Sequence, residues 1–211
     1  MLKGVDIFSG TGAIDWPRVR AAGIDFCFVR AAYGDKADVN AKANLAAAKA
    51  VGITCGVYHF LRTSKDPVAQ VALMAALIDS LEIGAGDLPP VVDVEDNPAF
   101  DGPWNTANNA SYLAMVSNWV ATVRAKTGAA PIIYTRAGFW RTLGSPAGFA
   151  DCPLWVASYR PAPPDLPSTW NKFTFWQYSD SGTVDGMPGT ANDMNYFMSD
   201  DVAELRALTL A

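Results

Sequence analysis

Histidine and cysteine are scarce in this chain of 211 residues: there is one histidine, His59, and there are three cysteines, Cys27, Cys55 and Cys152. One histidine and three scattered cysteines do not provide the ligand spacing of a zinc site. An odd number of cysteines also gives no disulfide framework. We therefore predict buried free thiols at the three cysteines, and we expect no metal ion and no organic cofactor.

Basic clusters and long apolar runs are also absent. The formal net charge is −5 and no group of lysines and arginines stands out, so we expect no nucleic-acid partner. No stretch of 18 apolar residues occurs, so we expect no membrane-spanning segment. The first residues contain no apolar core of a signal peptide, which predicts synthesis in the cytoplasm.

Half of the residues are apolar, and they fall into an alternation of strands and helices. Beside a central acidic strand near residues 89–95, strands are predicted at Lys3–Ser9, Asp25–Tyr33, Ile53–Phe60, Pro131–Thr135, Leu154–Tyr159, Phe173–Ser179 and Met194–Phe197. Helices are predicted at Trp16–Ala22, Val39–Val51, Asp66–Leu81, Ala110–Lys126, Gly138–Leu143 and Asp200–Leu208. Five strand–helix units followed by three helix-poor strands predict an irregular, TIM-like α/β barrel of parallel strands, (β/α)5 and then three strands. We expect one domain over residues 1–211.

The acidic strand is the centre of the functional prediction. Pro89-Pro90-Val91-Val92 leads into Asp93, Val94 and Glu95, a run that is typical of a strand buried on both faces. Residues at i and i+2 project from the same face, so Asp93 and Glu95 should point together, roughly 6.6 Å apart along the strand. Paired carboxyl groups at the carboxyl end of a barrel strand indicate an active site, although such acids can also form a purely structural cluster.

Two further acids are predicted to join this pair. Asp6 lies in the first strand and Asp193 begins the last one. If the ends of these strands face one mouth of the barrel, the four acids converge there. Aromatic and amide side chains at strand ends suit a sugar-binding groove, or they fill the core. The candidates for substrate binding are Tyr33, Tyr58, Tyr134, Trp155, Tyr159 and Gln177.

Three patterns that resemble other functional motifs are set aside. Gly10-Thr11-Gly12 follows a strand like a dinucleotide fingerprint, but Asp15 stands where the third glycine is needed, so a tight turn is predicted. His59 is the only histidine available for a nucleophile–His scheme, and no G-x-S-x-G elbow occurs. We interpret His59 as a hydrogen-bonding wall residue. No P-loop or zinc-protease motif is present.

The order of short motifs along the chain resembles glycoside hydrolase family 25, the Chalaropsis-type lysozymes. The resemblance extends from Gly4 to about Phe197 and rests on eight or nine motifs, each weak alone. They are Gly4–Ile7, Ile14–Trp16, Phe28–Ala31, Gly56–Phe60, Pro89–Glu95, Pro131–Thr135, Pro153–Ala157, Phe175–Ser179 and Asp193–Asn195.

This resemblance implies an irregular barrel and N-acetylmuramidase activity on the β-1,4 bond between N-acetylmuramic acid and N-acetylglucosamine. The expected partner is therefore the glycan strand of bacterial peptidoglycan. It also implies that the family's acidic positions fall on Asp6, Asp93, Glu95 and Asp193. We expect a monomeric catalytic domain without a separate cell-wall-binding domain, acting on the wall as a phage lysin or as an exported or injected enzyme.

The expected chemistry assigns the proton donor to Glu95 and assistance at the anomeric centre to Asp93. An ionised Asp93 should keep Glu95 protonated through like-charge repulsion. Substrate assistance and inversion by an activated water both remain open. The alternatives are a chitinase-like hydrolase, although Pro89 and Val91 occupy the places of its upstream acids, and a catalytically silent sugar-binding barrel.

Overall fold

The computed structural model describes residues 1–211 and contains nine strands and seven α-helices. The strands are β1 (Lys3–Ile7), β2 (Ile24–Tyr33), β3 (Lys36–Ala37), β4 (Thr54–Phe60), β5 (Val91–Asp93), β6 (Ile132–Thr135), β7 (Leu154–Ala157), β8 (Phe175–Gly182) and β9 (Asn192–Phe197). The helices are α1 (Trp16–Ala21), α2 (Ala41–Ala50), α3 (Pro67–Ser80), α4 (Pro98–Asp101), α5 (Asn109–Thr127), α6 (Ala137–Thr142) and α7 (Val202–Ala207). Every predicted strand and helix is present, with ends that differ by a few residues.

Eight of the strands close into a barrel in the order β1-β2-β4-β5-β6-β7-β8-β9, because β1 pairs with both β2 and β9. The small strand β3 only adds a hairpin to the end of β2. Helices follow the first five barrel strands, and none lies between β7 and β8 or between β8 and β9. The predicted irregular barrel is therefore confirmed.

The direction of the last strand differs from the prediction of a parallel barrel. β9 runs antiparallel to both β8 and β1, while the other neighbouring barrel strands are parallel. Only residues 183–191 join β8 to β9, and a parallel crossover needs a dozen or more residues. The short connection therefore forms a hairpin, which brings the start of β9 to the mouth formed by the other strand ends.

Alternate residues of the strands fill the barrel interior with large side chains. Phe28 stacks on Trp155 with ring centroids 4.4 Å apart, and Phe26 and Phe175 pack at 5.1 Å. Gly4 makes room for this layer, because a Cβ atom there would lie 2.3 Å from the Phe26 ring. Side chains thus fill the barrel interior below the mouth. The polar groups lie at the rim that the carboxyl ends of the strands form.

The opposite faces of the strands pack against the helices in a larger core that includes Val92, Val116 and Trp119. The helix ends follow the sequence signals: Asp66 accepts a hydrogen bond from the Ala69 amide at 2.7 Å, and Pro67 is the first residue of α3. Gly128 ends α5 in the left-handed conformation. None of the helices combines the length and the apolar character needed to cross a membrane.

The three cysteines are buried and free, as predicted. Cys27 lies in β2, Cys55 lies in β4, and Cys152 precedes β7. Burial raises the pKa of the Cys55 thiol to about 12 and that of Cys152 to about 11. All three are therefore packing residues in their thiol form.

Candidate active site

Asp6 occupies the mouth of the barrel because its neighbours Val5 and Ile7 belong to the outer core. Its Oδ1 atom accepts hydrogen bonds from Gln177 Nε2 at 2.9 Å and from Asn195 Nδ2 at 2.7 Å. Burial raises the pKa of Asp6 to about 6, and the two amide donors oppose this rise. Asp6 is thus a fixed carboxyl group held by neutral donors on β8 and β9.

A second layer of hydrogen bonds orients those two amides. The hydroxyls of Tyr134 and Tyr159 donate to Gln177 Oε1 at 2.8 and 2.7 Å. Trp155 Nε1 donates to Asn195 Oδ1 at 2.8 Å. Because each amide oxygen is occupied, each amide NH₂ group is directed at Asp6.

Asp93 ends β5, and its backbone lies in register with Phe60 on one side and Tyr134 on the other. The side chain is buried, and its Oδ1 atom has no hydrogen-bond partner. Burial raises the pKa of Asp93 well above its usual range, and the charge of Glu95 adds to the rise. An unpartnered buried carboxyl oxygen of this kind favours the neutral acid.

Glu95 follows Asp93 by two residues and is only half-buried, nearer the opening. Burial raises the pKa of Glu95 to about 7; Arg136 lowers it, and the charges of Asp96 and Asp6 raise it. The expected ordering, in which an ionised Asp93 keeps Glu95 protonated, therefore needs modification. Both carboxyls have raised pKa values, that of Glu95 to about 7 and that of Asp93 well above its usual range.

Asp193 lies directly opposite Asp6 in the antiparallel pairing of β9 with β1. Burial, followed by the charge of Asp6, raises the pKa of Asp193 to about 8, and Glu95 also contributes. The charge of Asp6 likewise acts on Asp93 and Glu95. The structure thus brings the four predicted acids together at one mouth of the barrel.

The comparison with protein families decides the identity of this arrangement. The family model for Glycosyl hydrolases family 25 matches residues 5–187. The chain belongs to this family. It is therefore a glycoside hydrolase, and the resemblance carried by the sequence motifs is confirmed.

Individual relatives agree with this family 25 assignment. Lysozyme M1 of Streptomyces globisporus is 33% identical over 98% of this chain and 71% of its own length. The N,O-diacetylmuramidase of a Chalaropsis species is 26% identical over 98% of both chains. The crystal structure of the bacterial lysozyme from Streptomyces coelicolor is similar with a TM-score of 0.87 and 31% identity, covering 99% of this chain and 96% of that one.

The six predicted substrate-binding residues of this family 25 chain divide into two groups. Tyr58, Tyr134, Trp155 and Gln177 are buried, between 2% and 8% exposed, so the three aromatic residues among them offer no ring face to a sugar. Tyr159 is 49% exposed, and Tyr33 is partly exposed at the rim. The structure places accessible aromatic rings only at these last two of the six positions.

Tyr33 belongs to a rim in which arginines and aromatic rings alternate. The Arg62 guanidinium lies 4.7 Å from the Tyr33 ring centroid and 5.5 Å from that of Phe100. On the other side, Arg30 lies 5.4 Å from Tyr33 and 4.5 Å from Phe8. These contacts stiffen the rim beside the acids.

Several residues at the mouth escaped the sequence analysis. Arg136 lies next to Glu95 although nothing in its local sequence distinguishes it, apart from its position directly after β6. Asn195 could have been found, because it shares a strand face with Asp193 at the i+2 spacing. Arg30 and Asp96 also act on the carboxyl groups: Arg30 lowers the pKa of Asp93, and Asp96 raises that of Glu95.

The two remaining motif-like features have structural roles, as predicted. Gly10 and Gly12 belong to a tight turn, in which residues Ser9–Thr11 form a 3₁₀ helix and Gly12 has a φ of +91°.

His59 Nε2 donates to the Gly34 carbonyl at 2.8 Å, while Nδ1 accepts from Trp119 Nε1 at 3.2 Å. Burial lowers the pKa of His59 to about 4, so it is a neutral wall residue. No group of three or more His, Cys, Asp or Glu side chains is arranged to hold a metal ion.

Proposed function

We propose that this chain is a cell-wall muramidase that hydrolyses the β-1,4 bond from N-acetylmuramic acid to N-acetylglucosamine in peptidoglycan. The observation that carries the proposal is the position of Glu95: a half-buried carboxyl with a pKa of about 7, beside three further acids at the mouth of a family 25 barrel. Relatives named lysozyme and N,O-diacetylmuramidase support this substrate class.

Glu95 is the proposed proton donor. A donor must keep its proton near the working pH and must reach the glycosidic oxygen of the bound substrate. Glu95 meets the first requirement through its raised pKa and the second through its partial exposure. Asp6 is committed to two amide donors, and Asp93 lies deeper, so neither replaces Glu95 in this role.

Asp93 is the proposed assistant at the anomeric carbon. Two interacting buried carboxyls do not both ionise easily, so the pair shares a proton over a range of pH. The productive form carries the proton on Glu95 and the charge on Asp93. Arg30, which lowers the pKa of Asp93, and Asp96, which raises that of Glu95, both favour this form. The charged Asp93 then either orients the substrate's N-acetyl group as an internal nucleophile or stabilises the oxocarbenium-like transition state directly.

The net bond changes are the same on either route. Glu95 transfers its proton to the leaving oxygen of N-acetylglucosamine as the glycosidic bond breaks. Water then supplies the new hydroxyl on the anomeric carbon of N-acetylmuramic acid and returns its other proton to the Glu95–Asp93 carboxyl pair. Asp6 and Asp193 contact the sugar hydroxyls, and the exposed rings of Tyr33 and Tyr159 face the pyranose rings. Tyr134, Trp155 and Gln177 act through Asp6 and are positioning residues.

Digestion of purified cell wall tests this proposal. Mass spectrometry of the fragments should find N-acetylmuramic acid at the new reducing ends. Release of N-acetylglucosamine at the reducing ends, or turnover of chitin oligosaccharides instead of wall, would favour a chitinase-like specificity. Tight binding to wall without any new reducing ends between pH 4 and 8 would leave a silent sugar-binding barrel. Proton NMR of the first-formed anomer then distinguishes substrate assistance, which retains the anomeric configuration, from inversion.

A further inference from the structure

A second cleft adjoins the proposed proton donor on the side of β6 and β7. It has a volume of about 460 Å³, and its charged lining residues are Asp96, Arg136, Arg141, Arg160 and Asp165. Trp104 and Phe139 give it an apolar wall and pack edge to face at 4.8 Å. Tyr159 forms the border between this cleft and the four acids.

The charge of the cleft is opposite to that of the whole chain. Three guanidinium groups face two carboxylates there, whereas the chain carries a formal net charge of −5. Arg136 is engaged with Asp96 at 2.6 Å, and Arg160 pairs with Asp165 at 3.2 Å. Arg141 is exposed and forms no ion pair.

The Arg160–Asp165 pair is easily exchanged for a ligand. Its side chains are 73% and 68% exposed, and exposed pairs of this kind add little stability. Arg141 and Arg160 can therefore both turn to an incoming anion at low cost. Arginine is the side chain whose planar group binds carboxylates with two parallel hydrogen bonds.

We propose that this cleft binds the carboxylates of the peptide stem that N-acetylmuramic acid carries, through Arg141 and Arg160. This inference rests on the proposed function, which places a muramic acid residue beside Glu95. Arg136 joins the two sites, since it contacts Glu95 at 3.5 Å and also lines the cleft. The stem leaves the sugar ring next to the scissile bond, so a cleft adjoining Glu95 is within its reach. The apolar wall suits the methyl groups of the stem's alanines.

The test compares two forms of one substrate. Linear glycan fragments carrying uncrosslinked stems, free of other wall polymers and their phosphates, are used with the stem carboxylates either free or chemically amidated. For the wild-type chain, kcat/KM should be about tenfold higher for the free-acid form, the size expected from charge-assisted hydrogen bonds to exposed groups. In the double variant Arg141→Gln/Arg160→Gln this ratio should fall close to one. The variant Arg206→Gln, which loses an exposed arginine of α7, should keep the wild-type ratio. Arg136 is left unchanged because its loss would also alter Glu95.

Binding gives the same comparison without turnover. Calorimetry with the Glu95→Gln variant should show tighter binding of the free-acid fragments than of the amidated ones, and this difference should vanish when Arg141 and Arg160 are replaced as well. Equal affinity and equal kcat/KM for the two substrates, or an unchanged preference in the double variant, would overturn the inference. Failure of the wild type to cut either substrate, with the binding preference intact, would contradict the proposed function and support the stem site.

Discussion

Arg136 Nη2 lies 3.5 Å from Glu95 Oε2, so a positive charge adjoins the group proposed as the proton donor. The same guanidinium nitrogen lies 2.6 Å from Asp96 Oδ1. Burial raises the pKa of Glu95 to about 7, Arg136 opposes this rise, and Asp96 adds to it. The pKa of the donor is therefore set by neighbours of both signs, and substitutions can move it in either direction.

Two substitutions should move the pH profile in opposite directions. Activity falls as pH rises through the pKa of the donor, because Glu95 must be protonated to act. Arg136→Gln removes the opposing charge and leaves Asp96 unpaired, so the basic limb of kcat/KM should shift to higher pH. Asp96→Asn removes a negative charge and frees Arg136, so the limb should shift to lower pH. Profiles of kcat/KM from pH 4 to 9 measure both shifts of the basic limb. Shifts in the same direction would contradict the assignment of Glu95 as the proton donor.

Replacing the donor itself should abolish most of the activity. Glu95→Gln preserves the shape of the side chain but cannot supply the proton, which typically costs on the order of 10²–10⁴ in rate. Release of reducing ends from wall glycan measures the loss. Glu204→Gln, an exposed change on α7, is the matched control and should be neutral. Digestion by the Glu95 variant within threefold of wild type would show that another group is the acid.

The free energy of unfolding should fall with rising pH because the fold raises the pKa values of several carboxyl groups. The pKa of Asp193 is about 8 in the folded chain against an ordinary value of 3.8, so its stabilising contribution is complete below the ordinary value and is lost as pH rises towards 8. Glu95 acts in the same direction up to about pH 7. His59 acts oppositely, since its folded pKa of about 4 lies below its ordinary 6.5, and its effect is complete above pH 6.5.

The interval from pH 6.5 to 8 therefore isolates the carboxyl groups from His59. Urea unfolding of the wild type should give a free energy of unfolding that decreases over this interval. Asp193→Asn should make the decrease shallower, while Asp200→Asn, at an exposed position, should leave it unchanged. An identical slope in wild type and the Asp193 variant would show that Asp193 is not held protonated by the fold.

A buried ion pair supports the loop that follows Glu95. Arg62 Nε and Nη2 donate to the two carboxylate oxygens of Asp101 at 2.7 and 2.6 Å, with side chains only 7% and 6% exposed. Asp101→Asn leaves the guanidinium without its charged partner and should destabilise the fold by about 3 kcal/mol. Glu82→Gln, in a pair that is 67% and 80% exposed, should cost less than about 0.5 kcal/mol. Equal effects in urea unfolding would show that the Arg62 pair is also solvated.

Asp6, Asp93 and Glu95 were predictable from the sequence because each follows a local rule. A run of valines ending in Asp93 and Glu95 indicates a buried strand with two acids on one face, and Asp6 is set between two apolar neighbours in the same way. The depth of a side chain along the barrel axis follows no such rule. Tyr33 and Tyr134 both lie near strand ends, yet only Tyr134 is buried, because its ring packs inside the barrel at 4.7 Å from the Trp155 ring.

Contacts between segments that are distant along the chain also could not be predicted from local sequence patterns. The direction of β9 depends on the length of one connection, and only that direction explains why Asp193 meets Asp6. Arg136 reaches Glu95 from the neighbouring strand, so no spacing along the chain links the two. The amide of Asn195 is directed at Asp6 by Trp155, a relation that becomes visible only when β7 and β9 are both in place.

The hydrogen bonds that hold Asp6 join positions 171 and 189 residues apart along the chain. A ribosome delivers β1 first and β8 and β9 near the end of synthesis, so the barrel cannot close until almost the whole polypeptide has emerged. A nascent chain that already contains Glu95 and Asp93 still lacks Asp193 and the two residues that donate hydrogen bonds to Asp6, Gln177 and Asn195. We therefore expect hydrolytic competence only after the last strands have closed the barrel, and a translation product that ends before β8 should be inert.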